Sequence, residues 1–121
     1  MIKGLMVTTT GDIKPVELDG TRDGYYKALE CDIIDCTVRR IGRKKYDIIC
    51  DDEGLCKDSP KVTAVTKMYQ PALVGNLFIC NNNGKGEFTS LTADEVTEIL
   101  NNTTKIFDNE LGFREVIQVW A

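Results

Sequence analysis

The side chains that could do chemistry in this chain are carboxylates, lysines, tyrosines and five cysteines, because histidine is absent. The absence of histidine excludes Ser-His-Asp and Cys-His nucleophile pairs, histidine acid–base catalysis and most catalytic zinc sites. The cysteines are odd in number and contain no C-x-x-C pair, so they indicate neither a zinc knuckle nor a redox motif. We expect reduced, mostly buried thiols, as in a cytosolic protein. The composition therefore disfavours catalysis.

Three polar segments could bind an ion, and each has a simpler interpretation. The loop Asn81–Gly86 has the composition of an anion-binding nest, but it matches neither a Walker loop nor a dinucleotide fingerprint and could be an ordinary hairpin loop. The acidic turn Asp51–Glu53 lacks the spacing of a calcium loop, so we expect a solvated turn and no metal site. A basic run could steer a phosphate-bearing ligand or could be the solvated tip of a hairpin. This run consists of Arg39, Arg40, Arg43, Lys44 and Lys45.

Aromatic side chains are the candidates for stacking on a nucleobase, although aromatic rings more often pack in cores or subunit contacts. Arg114 directly follows Phe113, which would place a planar guanidinium for a phosphate beside a ring for a base. Lys57 is a second candidate for the same anionic role. The candidate rings are Tyr69, Phe78, Phe88, Phe113 and Trp120, all of which lie outside the predicted first helix and second hairpin.

The middle of the chain contains the clearest elements that must position these candidates. Leu77–Cys80 is a continuous apolar run of strand length, and Glu87–Thr89 can return as a short strand after the loop. Thr92 and Glu95 match a capping box, in which each residue bonds the backbone amide of the other. The capping box predicts a helix that starts here and runs to about Phe107.

Elsewhere, hydrophobic patterning and turn residues predict two hairpins, one helix and a last strand. Pro15 would make the second strand an edge strand or an irregular one. The segment Leu55–Lys67 is predicted to be a short helix or a loop. The other predicted elements are strands Ile2–Thr9 and Ile13–Leu18, a helix from Thr21 or Asp23 to about Cys31, strands Ile33–Ile41 and Lys45–Asp51, and a strand Phe113–Trp120.

Hairpins mixed with helices, without regular βαβ alternation, indicate an α+β fold with a mainly antiparallel sheet built from hairpins and two helices. With 121 residues, of which 42% are hydrophobic, the chain is expected to form a single ligand-binding domain, 1–121. Its net charge of −4 argues against binding a nucleic-acid polymer. We expect a cytoplasmic protein without a membrane segment, because no apolar run approaches the ~18 residues that a membrane helix needs.

Three short motifs give the chain a resemblance to a group of phage proteins. They are the opening Met1–Val7, the mid-chain Gly75–Ile79, and Ser90–Thr92 leading into a helix with Glu95. Within that group the chain resembles the Thoeris anti-defence sponge family. The resemblance implies a protein that is not an enzyme and needs no cofactor. It implies binding of the cyclic ADP-ribose-type signal made by bacterial TIR-domain proteins, so that the Thoeris effector is not activated.

The resemblance also implies a homo-oligomer, a dimer or a dimer-based assembly, with ligand pockets at subunit interfaces, in the cytoplasm of the host bacterium. Some family members hold cyclic oligonucleotide signals at a second, phosphate-heavy site, but Arg114 is the only arginine in the C-terminal half of this chain. On this resemblance we expect Phe78 to stack on a base. Asn83 and Thr89 are expected to make polar contacts, and Arg114 with Lys57 to bind phosphates.

Two other functions stay open. An interaction protein could block a host factor through an exposed sheet edge or an aromatic patch. An enzyme could degrade such a signal with carboxylates and a metal, although the absent histidines and the missing metal-ligand spacing disfavour it. A sponge would release its ligand intact, an enzyme would change the mass of the ligand, and an interaction protein would take up no ligand.

Overall fold

The computed structural model describes residues 1–53 and 60–120. Strands dominate this part of the chain, with two short helices between them, and the predicted α+β class is confirmed. The elements in chain order are β1 (Ile2–Val7), β2 (Ile13–Leu18), α1 (Arg22–Leu29), β3 (Ile34–Ile41), β4 (Lys44–Asp51), β5 (Val62–Thr66), β6 (Pro71–Val74), β7 (Leu77–Asn82), β8 (Phe88–Thr89), α2 (Ala93–Leu100), β9 (Thr103–Asp108) and β10 (Gly112–Val119).

The central strand of the larger sheet is β7. This sheet has the order β2-β1-β7-β4-β3, with β8 paired to β7, and all of these pairings are antiparallel. Leu77 and Ile79 face the main core, whereas Phe78 and Cys80 face a second cluster that includes α1. Because both faces of β7 are covered, the strand is a continuous apolar run instead of an alternating one. The strand that contains Pro15, β2, lies at the edge of the sheet, as predicted.

A smaller sheet has the order β6-β5-β10-β9. Its β5–β10 pair is parallel and its other pairs are antiparallel, so the fold is mainly antiparallel, as predicted. The strands form two sheets, however, where the sequence suggested one. The main core joins both sheets to α2, with Ile79, Ile99 and Ile117 each fully buried in it.

Both helices begin where the sequence predicts. At α1, Thr21 Oγ1 accepts a hydrogen bond from the Gly24 amide at 3.0 Å. At α2, Thr92 Oγ1 accepts from the Glu95 amide at 3.2 Å, and a Glu95 carboxylate oxygen accepts from the Thr92 amide at 2.8 Å. These two bonds complete the predicted capping box.

Two predictions about the later elements are wrong. The second helix ends at Leu100 and not near Phe107, and Thr103–Asp108 forms β9, because these residues pair with β10 along their whole length. The described part of Leu55–Lys67 contains the strand Val62–Thr66, which pairs in parallel with β10, and not a helix or loop. Residues 54–59 of that segment lie outside the described residues. In both cases pairing with the C-terminal strand overrides weak local preference.

Candidate anion-binding groove

Trp120 lies against the edge strand of the larger sheet. Its backbone N–H donates to the Arg40 carbonyl oxygen at 2.9 Å, which holds the chain after β10 alongside β3. Between the indole and the β3–β4 hairpin lies a groove of about 380 Å³, lined by Val38, Arg39, Arg40, Lys45 and Trp120. Arg40 and Lys45 are partners in the hairpin register, so these two cations project from neighbouring strands on the same side.

Two cations lie over the indole ring. The Arg40 guanidinium carbon is 4.9 Å from the ring centroid and Lys67 Nζ is 5.9 Å from it, and both distances are within cation–π range. Neutral acceptors hold both side chains, since Arg40 Nε donates to Gly42 O at 3.1 Å and Lys67 Nζ donates to Asn102 Oδ1 at 3.4 Å. Trp120 is nevertheless 47% exposed, which leaves part of the ring open to a ligand.

The groove is positively charged because none of its cations has an acidic partner in the described part of the chain. Among the residues that the structure describes, Arg39, Arg40, Lys45 and Lys67 have no carboxylate oxygen within 4.0 Å. In a protein of net charge −4, such a cluster is a local positive surface that attracts anions. The indole adds a face on which a planar ring can stack. The arrangement can therefore bind a molecule that joins an anionic group to an aromatic ring.

The β3–β4 hairpin is fastened to α2 beside this groove. Lys44 Nζ donates to Asn81 Oδ1 at 2.9 Å and contacts the Glu95 carboxylate. Burial raises the pKa of Glu95, but hydrogen bonds from Lys44, the Thr92 amide and Asn81 outweigh burial and hold that pKa at about 2. The carboxylate is therefore ionised at neutral pH and keeps the hairpin in place.

The ring of Phe78 lies in the core and not at a ligand site. Its side chain has no exposed surface, and its centroid is 6.1 Å from that of Tyr25 in α1. Gly4 of β1 packs so closely that a Cβ there would lie 2.5 Å from Phe78 Cζ. A base could stack on Phe78 only if these neighbours moved away, so the stacking role expected for Phe78 does not fit its position.

In the loop between β7 and β8, asparagine side chains accept hydrogen bonds from the loop's own backbone amides. Asn82 Oδ1 accepts from the Gly84 amide at 2.8 Å, and Asn83 Oδ1 accepts from the amides of Lys85 at 2.8 Å and Glu87 at 3.3 Å. Two amides of the expected anion nest, those of Gly84 and Lys85, are thus already bonded to asparagine side chains. Asn83 stabilises the loop, and the simpler interpretation as a hairpin loop agrees with this geometry.

The other expected contact residues lie in different parts of the molecule. Thr89 is half-buried in β8, opposite Asn81 of β7. Arg114 is 5% exposed in β10, and its guanidinium donates to the Val62 carbonyl oxygen. Lys57 lies outside the described residues. The expected set is therefore spread over β7, the following loop, β8 and β10.

The groove combines two features that the sequence presents separately. The basic run of β3 and β4 and the aromatic Trp120 are each candidates for ligand contact, but they lie far apart in the chain. The backbone bond between Trp120 and Arg40 brings them together. Lys67, whose Nζ lies over the indole ring, is not a candidate from the sequence, because no local motif marks it.

Fold and groove together define a small α+β domain with a cationic, aromatic surface. The chain belongs to the family described as a domain of unknown function, DUF3846, which it matches over residues 2–104. The matched range contains the cations of the groove but ends before Trp120. No curated protein and no solved structure matches the chain. None of the described helices is long and apolar enough to span a bilayer.

Proposed function

We propose that this protein is a non-catalytic phage anti-defence protein that sequesters a cyclic ADP-ribose-type signalling nucleotide and so blocks activation of the Thoeris effector. One observation carries the proposal: a half-exposed indole lies beside four cations that have no acidic partner in the described part of the chain. The groove supports the ligand chemistry, and the resemblance to the sponge family supports the ligand class.

The parts of such a ligand match the parts of the groove. We expect Arg39, Arg40 and Lys45 to bind the pyrophosphate, because guanidinium groups form paired hydrogen bonds with phosphate oxygens. We expect Trp120 to stack on the purine, a contact that contributes about 1–3 kcal/mol per base. The groove volume of about 380 Å³ is within the range of small-molecule sites, roughly 300–1,000 Å³.

We propose that the ligand binds in the groove and not at the residues that the resemblance implies. Phe78 and Arg114 are both buried and engaged with neighbouring protein groups. The groove, in contrast, offers cations that no acidic residue of the described part of the chain neutralises, and an aromatic ring that is 47% exposed.

A recovery experiment tests binding and ligand integrity together. Purified protein is mixed with each member of a panel of cyclic ADP-ribose isomers, the free ligand is separated by filtration and measured, and the protein is then heated to release what it holds. We expect depletion of at least one isomer, followed by release with unchanged mass. Release with a changed mass would indicate an enzyme. No depletion of any isomer would exclude the nucleotide proposal and favour an interaction protein.

Two variants and a matched control locate the site. Trp120→Ala and the double variant R39Q/K45Q should each weaken ligand binding roughly fivefold or more, because stacking and phosphate contacts each contribute at least about 1 kcal/mol. The double variant K14Q/K85Q changes the net charge equally at exposed lysines on β2 and in the β7–β8 loop, and it should leave binding unchanged. An equal loss in this control would show that binding depends only on overall charge.

A further inference from the structure

A buried carboxylate lies next to the groove and takes no part in the contacts described so far. Asp47 of β4 is 6% exposed, and Asn82 Nδ2 donates to its Oδ1 at 2.9 Å. In the described part of the chain, no lysine or arginine nitrogen lies within 4.0 Å of this carboxylate, and no other side chain donates to it. Burying a carboxylate is costly unless cations or hydrogen bonds compensate its charge. One neutral donor compensates little of that cost.

The strand register places Asp47 on the same face of the larger sheet as the groove. Arg40 lies opposite Lys45, and the next pair on that face joins Val38 to Asp47. Val38 is itself a lining residue of the groove. Two positions along a strand span about 7 Å, so the Val38–Asp47 pair follows the Arg40–Lys45 pair at this distance.

The part of this face beside the groove is open. Tyr25 of α1 packs on Phe78 in the middle of the sheet, whereas Val38 of the edge strand is 54% exposed. No described group donates to Asp47 Oδ2, yet this oxygen is not among the fully buried atoms that lack a hydrogen bond. Oδ2 therefore keeps contact with solvent and can accept a hydrogen bond from a ligand.

The loop between β7 and β8 holds the carboxylate in place through Asn82. The Asn82 amide donates from Nδ2 to Asp47 and accepts at Oδ1 from the Gly84 amide at 2.8 Å. Because both ends of the amide are engaged, Asn82 is fixed, and it orients Asp47 Oδ1 in turn. A fixed carboxylate with one unbonded oxygen suits hydroxyl donors, and acidic side chains bind ribose hydroxyls in this way in dinucleotide-binding folds.

We infer that Asp47 accepts a hydrogen bond from a ribose hydroxyl of the nucleotide whose phosphates bind Arg40 and Lys45. The inference deepens the proposed function and rests on it, because that function places a nucleotide in the groove. A ribose carries its phosphate at one end and hydroxyls at the other, so it can join the two residue pairs. The carboxylate also repels phosphate, which fixes the direction of the nucleotide along the face. Asp47 thereby makes the groove selective for nucleotides that contain ribose.

Titration calorimetry with ADP and 2′,3′-dideoxy-ADP tests the inference on the wild-type protein. The two probes share the purine and the pyrophosphate and differ only in the ribose hydroxyls. Because hydrogen bonds to a charged group are among the strong ones, we expect ADP to bind at least about tenfold more tightly than 2′,3′-dideoxy-ADP. Equal binding of the two probes, or no binding of either, overturns the inference.

Asp47→Asn distinguishes ribose recognition from a structural role. Asparagine keeps the shape but loses the charge, so the preference for ADP should fall to roughly threefold or less. Binding of 2′,3′-dideoxy-ADP should not weaken, because a negative charge near the phosphates is removed. Asp35→Asn changes the net charge equally at an exposed carboxylate on the opposite face of β3, and it should keep the wild-type preference.

Far-UV circular dichroism checks that both variants fold. An Asp47→Asn variant that folds and keeps the full preference for ADP overturns the inference, and if this variant does not fold, the comparison of probes on the wild type decides. The recovery experiment with the cyclic isomers has a separate outcome. Depletion of an isomer without a preference for ADP would retain the proposed function and reject the role of Asp47. A preference for ADP without depletion of any isomer would retain the ribose contact and reject the cyclic signal.

Discussion

Phe113 and Arg114 are adjacent in the sequence but have opposite environments. Consecutive side chains of a strand point to opposite faces, so Phe113 is 74% exposed while Arg114 is 5% exposed. Arg114 Nε lies 3.5 Å from Asp108 Oδ2, and the guanidinium also donates to the Val62 carbonyl oxygen. Hydrogen bonds, above all that from the Glu110 amide, lower the pKa of Asp108 to about 2. The positive charge of Arg114 therefore compensates the negative charge of the Asp108 carboxylate, which is ionised and largely buried.

Replacing Arg114 by lysine should destabilise the fold and leave ligand binding intact. Lysine keeps the charge but loses the planar fork that reaches both partners, so we expect the free energy of unfolding to fall by about 2–3 kcal/mol in urea denaturation. Arg22→Lys, at an exposed arginine of α1, is the control and should change it by less than about 0.5 kcal/mol. Unchanged stability with lost ligand depletion would instead support the phosphate contact that the resemblance implies.

Among the elements, the turn between β3 and β4 matters most for the groove, because it docks on α2. Gly42 in this turn has φ of +64°. A Cβ at Gly42 would clash with Glu98 Oε1 and lie 2.9 Å from Asn102 Nδ2. The next residue, Arg43, donates its backbone N–H to Glu98 Oε1 at 3.1 Å. Glycine therefore meets two requirements here, the left-handed backbone and room for the Glu98 carboxylate, a flexible side-chain end that a Cβ would push away from the Arg43 amide.

Gly42→Ala and Gly84→Ala separate these two requirements. Gly84 has φ of +77°, but a Cβ there would meet nothing within 4 Å. We expect Gly84→Ala to lower the free energy of unfolding by about 1 kcal/mol through backbone strain alone. Gly42→Ala should lower the free energy of unfolding by roughly twice that amount or more. It should also weaken ligand binding, because the β3–β4 hairpin that lines the groove shifts. If urea denaturation showed the same loss of unfolding free energy for both variants, this result would contradict the docking of the β3–β4 turn on α2.

The molecule as a whole is acidic, and its groove is a local exception. The net charge of −4 repels an anionic ligand at long range, whereas the groove cations attract it at contact distance. Coulomb energy falls with distance, so the nearby cations should dominate once the ligand is in the groove.

Salt should weaken ligand binding if the groove cations hold the anion. The Debye length falls from about 10 Å at 0.1 M to about 3 Å at 1 M ionic strength, and we expect the dissociation constant to rise several-fold over this range in equilibrium dialysis. The dissociation constant of R39Q/K45Q should depend less on salt, because fewer positive side chains attract the ligand. Tighter binding at high salt would mean that repulsion by the whole acidic molecule dominates, which would contradict binding in the groove.

Most element types could be predicted because their signals are local. The capping box at Thr92 and Glu95, the buried run of β7 and the early hairpins each depend on residues within a few positions of one another. The wrong predictions concern β5 and β9. Both strands pair with β10, so their conformation depends on a partner that no local pattern reveals.

The amino-acid sequence by itself determined the α+β class, both helix starts, the absence of histidine chemistry and a basic run in an acidic chain. Only the tertiary structure decided which candidate side chains are available to a ligand. Phe78 and Arg114 have suitable chemistry but are buried, because burial depends on which strands and helices cover each face. The groove exists because a backbone hydrogen bond places Trp120 beside Arg40, and such a contact between distant segments has no signature in sequence spacing.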